Sequence, residues 1–445
     1  MLTTLRNAWK IPELRRKLLF TLFILVIYRL GAAIYIPYIN HSALEAWKET
    51  AAGSILEYLN IISGDAFSKA TLFALSISPY ITASIVMQLL CVAIKPLEEL
   101  SKSGEEGRKK INNYTRYVTV ALGLLTSIGY YFLMRNTYQV VTEDGKTVFG
   151  AIVMISCYCA GAALIMWLAE KINESGIGNG ISIILFANIV SSIPGMIETS
   201  VVANIRTGIT NIQNGSTVKG IFGIIAVLVG IVAVLAAVAF VVFITESERR
   251  LPVQYAKRVV GRKMYGGQNS NLPLKLNMNG VMPIIFASSI CSIPATIMQF
   301  TNSNPKEGTF SYWLKWVFST ESWVYALIYF VLIILFAYFY TAITFNPIEV
   351  ANNLQKNGGS IMGIRPGKPT AEYISKILNR VTLIGALFLS IIAVVPLLLN
   401  IITGGALGSV AFSGNSLLIV VGVALETSRE IEAQMTMRHY KGFLE

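Results

Sequence analysis

An all-α integral membrane protein with ten spanning helices is the fold class that three features of the sequence predict. Of its 445 residues, 54% are hydrophobic and only 13% charged, about half the share of roughly 25% usual in soluble domains. Ten apolar segments recur, at about 18–36, 70–94, 114–134, 149–169, 180–197, 220–244, 281–300, 323–345, 380–402 and 409–427; a bilayer core needs about 20 such residues. Lys and Arg fall unevenly between them, 27 on one side and 8 on the other, with Arg29 inside the first span. Basic residues are retained on the cytoplasmic side, so the count places both termini there.

The first span follows MLTTLRNAWKIPELRRK, which lacks a small-residue cleavage site, and the apolar run behind it is long. It reads as a retained span, not a removed leader. Arg29 lies near its outer end, where a long side chain can snorkel. Next comes Ser54 to Ile62 (SILEYLNII), too short to span and carrying Glu57 and Asn60. Ser63 to Leu90 then runs into the second span without an evident break. A half-inserted segment is tolerated only when buried in protein or lining a watery cavity. The pattern therefore fits a re-entrant piece leading into a cavity-facing helix, and fits equally well a surface helix ahead of an ordinary span.

Ten spans with both ends inside divide into two sets of five. The expected division is 1–195, an external connection 196–218, and 219–445. Each half contains a Pro/Gly-interrupted segment: GIGNGISIILFANIVSSIPG in the first and MPIIFASSICSIP in the second. Five-span halves have opposite topologies, the arrangement of an inverted repeat. No sequence repeat is visible, so this expectation rests on counting spans.

Several chemistries lack their residues. Ion-coupled transport usually places Asp, Glu or His within the membrane, and the predicted span interiors hold almost no charge. Gly176–Gly180 (GIGNG) lies between two spans and not in a strand–turn–helix unit, which argues against a phosphate loop. Ser182 has no His or Lys in a neighbouring span to activate it. His41 and His439 lie near opposite ends of the chain. Cys157 and Cys159, two apart, point to different faces of a helix. No cofactor, no metal and no enzymatic activity are expected. An inverted-repeat secondary transporter is the alternative, supported only by the interrupted stretches at Gly176–Gly180 and Pro283.

Two long cytoplasmic loops, 245–280 and 346–376, offer a surface instead. Arg249–Lys275 carries seven basic residues and no acidic one. Positive-inside topology explains the sign of this charge but not the loop length, and such a surface can neutralise phosphates. A large cytoplasmic docking partner is the favoured reading. Within the membrane, Ile77 and Ile81 are four apart, as are Ile181 and Leu185, and each pair shares a helix face.

Taken together, the motifs resemble the bacterial SecY family, the channel subunits of the Sec protein translocon. SGDAFSKATLFALSISPYITASIVMQLL, GIGNGISIILF, PVQYAKR, LPLKLNMNGVMPIIFASS, FNPIEVANNL, GIRPGKPT and NSLLIVV match in order and spacing, and the resemblance runs nearly end to end. It implies a clamshell of two pseudo-symmetric inverted five-helix halves around a central hourglass pore. The pore would close at a ring of Ile77, Ile81, Ile181, Leu185, Ile285 and Ile419, an apolar collar that excludes water and ions by dewetting. The plug would be about 54–69, including Ile62, Ser63, Gly64, Asp65 and Phe67, with Ile62 near the ring. The family's plug often has Ser-Gly-Gly where this chain has Ser63, Gly64 and Asp65, and Leu185 replaces a common isoleucine. A lateral gate would carry Gln88, Ser288 and Ser289, placed to hydrogen-bond between helices. Partner docking would use Arg249, Arg250, Lys257, Arg258, Arg262, Lys263 and Arg365. The implied partners are SecE-like and SecG-like small subunits, the SecA motor, the ribosome, signal sequences with nascent chains, and membrane lipid. The implied location is the bacterial plasma membrane.

Overall fold

The computed structural model describes residues 2–40, 43–44, 60–137, 139–198, 202, 205–206, 209–210, 217–255, 258–260, 263–265, 269–278, 280–301, 310–319, 322–402 and 408–441. The earlier part of the expected plug, 54–59, together with Lys257 and Arg262, lies outside them.

Helices fall on all ten apolar segments. In chain order they are α2 (Pro12–Gly31), α3 (Ser78–Ala93), α5 (Glu105–Phe132), α6 (Val148–Ser175), α7 (Gly180–Ile197), α8 (Thr217–Glu246), α9 (Met282–Thr301), α11 (Trp323–Thr344), α13 (Lys368–Ile402) and α14 (Gly408–Lys441). Four of the described helices are by themselves long and apolar enough to cross a bilayer. Between them lie the shorter α1 (Leu2–Trp9), α4 (Lys95–Lys102), α10 (Phe310–Val317) and α12 (Pro347–Lys356). Capping residues stand where the helices begin. Thr147 accepts from Gly150 N–H ahead of α6, and Ser322 accepts from Val324 N–H ahead of α11, each satisfying an amide that the first turn leaves open.

One expected element differs. The second span was expected to begin near residue 70, but Gly64–Ile77 is a run of turns and the helix starts at Ser78. Pro79 fits the first turn, where its missing N–H costs nothing. Ahead of it Asp65, Ala70 and Ser76 all have positive φ, which a continuing right-handed helix does not allow. Tertiary hydrogen bonds hold these turns: Tyr130 Oη donates to Phe67 O at 2.6 Å, and Ser76 Oγ to Ile62 O at 3.2 Å.

The helices enclose one large apolar core, to which α2, α3, α6, α7, α9, α11, α13 and α14 all contribute. Between α3 and α5 on one side and α11 on the other runs α9, in contact with all three. Opposite, α14 packs on α7. A second cluster gathers Phe67, Ala70 and Ala74 of the turn run against Tyr130, Met134 and Tyr158.

The two long basic loops, separate in sequence, meet in one sheet. Strand β1 (Glu248–Tyr255) is central, with β4 (Asn269–Lys275) on one edge and β5 (Gly359–Ile361) on the other, all antiparallel. Val253, Ile361 and Ile374 form a buried cluster beneath it. A separate ribbon pairs β2 (Arg258–Val260) with β3 (Lys263–Tyr265).

Candidate pore constriction and plug

The six side chains expected to form the ring come from four helices or their starting turns. Ile77 and Ile81 come from the start of α3, Ile181 and Leu185 from α7, Ile285 from α9 and Ile419 from α14, and all six belong to the same buried cluster. Their exposures lie between 1% and 8%. Burying an aliphatic side chain of this size is worth about 1.5–3 kcal/mol, so these six side chains are held in place by the same force that folds the bundle. Branched side chains with no polar atoms leave nothing there to hold water or an ion.

The GIGNG stretch serves to start α7 beside this collar. Asn179 Oδ1 accepts from Ile181 N–H at 3.0 Å, and Asn173 Oδ1 accepts from Gly180 N–H at 2.7 Å. Gly178 has φ +84°, and a Cβ on Gly180 would stand 2.0 Å from the Ala169 carbonyl. The glycines therefore allow a tight turn with close backbone packing, and two of the helix's leading amides are already occupied. Ser182 Oγ is buried without a hydrogen-bond partner.

The described part of the segment expected as plug packs on the same buried cluster. Ile61 belongs to the cluster and Ile62 packs on it. The following turn is tied locally: Asn60 Nδ2 donates to Asp65 Oδ1 at 2.8 Å, and Asn60 Oδ1 accepts from Ser68 N–H at 3.0 Å. Ser63 Oγ accepts from Phe67 N–H at 3.0 Å. Phe67 lies in the second cluster, its ring centroid 4.8 Å from that of Tyr130. Gly64 has φ +63° and Asp65 φ +68°, so the second position of the Ser-Gly-Asp run needs the conformation that glycine adopts freely.

Two residues not singled out as plug partners complete the junction. Asn188, fully buried in α7, donates through Nδ2 to Ile62 O at 2.7 Å and Tyr28 Oη at 2.8 Å, with Ser76 Oγ at 3.3 Å. Arg29 does not reach outward to water through Nη1. That nitrogen is buried next to Gly64 and makes no hydrogen bond. A polar amide in the middle of the otherwise apolar fifth span was the available sequence signal for Asn188.

Among the described residues, the hydrogen bonds of the expected gate residues run within their own helices. Gln88 Nε2 donates to Ser84 Oγ at 3.3 Å within α3, while Ser288 and Ser289 Oγ both donate to Ile285 O within α9, at 2.9 and 2.7 Å. The Ser288 and Ser289 hydroxyl protons are thus spent on the preceding turn of their own helix. A charged contact occurs instead between α5 and α6: Arg116 Nε donates to both Glu170 oxygens at 2.9 Å, and Nη2 lies 2.8 Å from Oε2.

Of the expected docking residues, Arg249 and Arg250 are exposed on β1, and Arg365 is exposed beyond β5. Arg250 Nε pairs with Glu248 at 2.7 Å, an acid just before the stretch counted as free of them. Arg258 lies on β2 and Lys263 on β3, two rungs apart on one ribbon, Arg258 opposite Tyr265 and Lys263 opposite Val260.

A family model described as SecY matches residues 71–428. The chain is 44% identical over 463 residues to the protein translocase subunit SecY of Streptomyces coelicolor and 41% identical over 460 residues to that of Mycobacterium tuberculosis, each match covering 100% of both chains. Among solved structures it is similar to one described as a protein conducting channel, with TM-score 0.65 and 18% identity. It is also similar to Sec61 in the canine ribosome-channel complex from the endoplasmic reticulum, with TM-score 0.62 and 18% identity. Each of these two matches covers 94% of this chain and 92% of the other.

Proposed function

The chain belongs to the SecY family, and from that premise we propose that it is the central subunit of a protein-conducting channel. It passes unfolded secretory polypeptides across the membrane and releases nascent membrane helices into lipid through a lateral gate. What supports this reading is that Ile77, Ile81, Ile181, Leu185, Ile285 and Ile419 all belong to one buried apolar cluster, with Ile62 packed against that cluster. A narrow ring of branched apolar side chains excludes ions when closed and makes no sequence-specific demand on a chain threading it.

The channel has no active site of its own. Energy comes from a partner, either chain elongation at a ribosome or ATP hydrolysis by a SecA-type motor. SecE-like and SecG-like small subunits complete the membrane assembly. Residues 1–195 and 219–445 form the two inverted halves, hinged across 196–218. Signal helices enter between α3 and α5 on one side and α9 and α11 on the other. Both termini are cytoplasmic in a bacterial plasma membrane, so the β4–β1–β5 sheet, with Arg249, Arg250 and Arg365, faces ribosome or motor. Lys257, Arg258, Arg262 and Lys263 add basic charge to the same loop.

The test is import of a signal-bearing precursor into vesicles containing this chain, its small subunits, the motor and ATP. Import that stops when cysteines at Ile62 and a collar position are joined by oxidation supports both channel and plug. Small-solute flux without any import overturns the reading.

A further inference from the structure

We infer that Asn188 and Arg29 act in opposite directions on the plug and together set how strong a signal is needed to open the channel; this rests on the plug reading above. Asn188 is the fastening side. Its amide nitrogen holds the Ile62 carbonyl at 2.7 Å while also bonding Tyr28 of α2, so one side chain joins plug, first span and fifth span. Departure of the plug breaks the bond to Ile62.

The releasing side is the cradle around Gly64. A Cβ on Gly64 would stand 2.7 Å from Arg29 Nη1, 2.9 Å from Ser191 Oγ and 3.1 Å from Asn188 Oδ1. Three polar atoms thus surround one bare Cα. Two of them, Arg29 Nη1 and Asn188 Oδ1, are buried without hydrogen-bond partners while the plug is seated. Leaving a buried polar group unmade is costlier than the gain from an ordinary hydrogen bond, and most so for a charged one. When Gly64 leaves, water enters and both groups are satisfied. The seated plug is therefore held by Asn188 Nδ2 and opposed by the buried, unpartnered Arg29 Nη1. Retaining a glycine at 64 keeps the cradle filled by backbone alone, with φ +63°.

The opposite signs make the inference testable. The experiment measures the rate at which a membrane-impermeant maleimide labels the Ser63→Cys channel, assembled with its small subunits in vesicles, with the four native cysteines replaced by alanine. Asn188→Leu removes the fastening donor together with the unpartnered Oδ1; because Nδ2 ties Ile62 to Tyr28 and Ser76 at once, its loss dominates and is expected to speed labelling about two- to tenfold, the range of one net hydrogen bond. Arg29→Met removes the unsatisfied donor while keeping an unbranched stem, and is expected to slow labelling by a similar factor. Import of a precursor with a weakened signal follows the same order, rising in the first variant and falling in the second. If Asn188→Leu does not assemble with the small subunits, Asn188→Ala takes its place. A parent channel labelled as fast as denatured chain overturns the plug reading itself. A protected parent in which the two variants leave the rate unchanged, or move it in the same direction, overturns the latch and leaves the plug reading standing.

Discussion

Val253 stands opposite Ile361 across an antiparallel ladder, and this pair joins two loops separated by about a hundred residues of chain. Both side chains are buried, Val253 to 2% exposure and Ile361 to 4%, over Ile374 at the start of α13. The basic residues of the loops are thereby presented on one braced platform.

Ile361→Ala is expected to loosen that platform by about 2–4 kcal/mol, the usual loss for a truncated core isoleucine. The six ring residues belong to a different buried cluster. Limited proteolysis within 245–280 should accelerate, and binding of ribosome or motor should weaken, while ion conductance of the resting channel stays at the parent value. Unchanged proteolysis would refute the bracing role of β5.

Collar variants should show the reverse pattern. Ile81→Gly or Ile285→Gly removes about 2–5 kcal/mol of packing and opens a gap that water enters. Resting ion leak through vesicles is expected to rise, and precursors with defective signals to be accepted more readily, with partner binding unaltered. Parent-like conductance in both variants would count against the collar assignment.

Arg116 and Glu170 form the other long-range contact that can be tested by stability. Glu170 is only 13% exposed in its side chain, whereas Arg116 is 44% exposed. Arg116→Ala leaves a largely buried carboxylate without its guanidinium and is expected to cost about 1–2 kcal/mol, after allowance for screening on the exposed side. Thermal unfolding of the purified assembly measures it, and Glu170→Gln, which keeps a hydrogen-bond acceptor, should cost less.

Lys275, on the edge strand β4, carries a pH signature. Burial, and then the nearby Arg429 charge, push its ammonium below the ordinary value of 10.5. A lysine with a depressed folded pKa binds fewer protons folded than unfolded, so its unfavourable contribution is complete below the folded pKa and fades as pH rises toward 10.5. Stability of the loop sheet should therefore gain an increment on the alkaline side that Lys275→Met lacks. Parallel pH profiles for the two proteins, followed by proteolysis of the loop, would remove the claim.

Much of this architecture is legible in the sequence because membrane solvation leaves so few options. Apolar length marks the helices, and the spacing of Ile77 with Ile81 and of Ile181 with Leu185 places them on shared faces. What escapes a linear reading is whatever depends on two distant segments at once. The Val253–Ile361 pairing has no local signal, since β5 is only three residues long. The break before Ser78 rests on positive φ at Ala70 and Ser76, residues that would continue a helix unless tertiary bonds such as Tyr130 to Phe67 held them otherwise. Gln88, Ser288 and Ser289 looked like bridging groups because composition does not reveal which hydroxyls are already satisfied one turn back. Arg116 and Glu170 each lie at the end of a span, where single charges read as topology markers and not as a pair.

The turns of Gly64–Ile77 also amount to stored length. Fourteen residues gathered in successive turns would reach about 46–50 Å if drawn straight, more than the roughly 30 Å hydrocarbon thickness of a bilayer. No long helix has to unwind for that slack to pay out. In the proposed channel a plug at the head of this segment is leashed to α3, able to leave its seat on that slack but not to diffuse away.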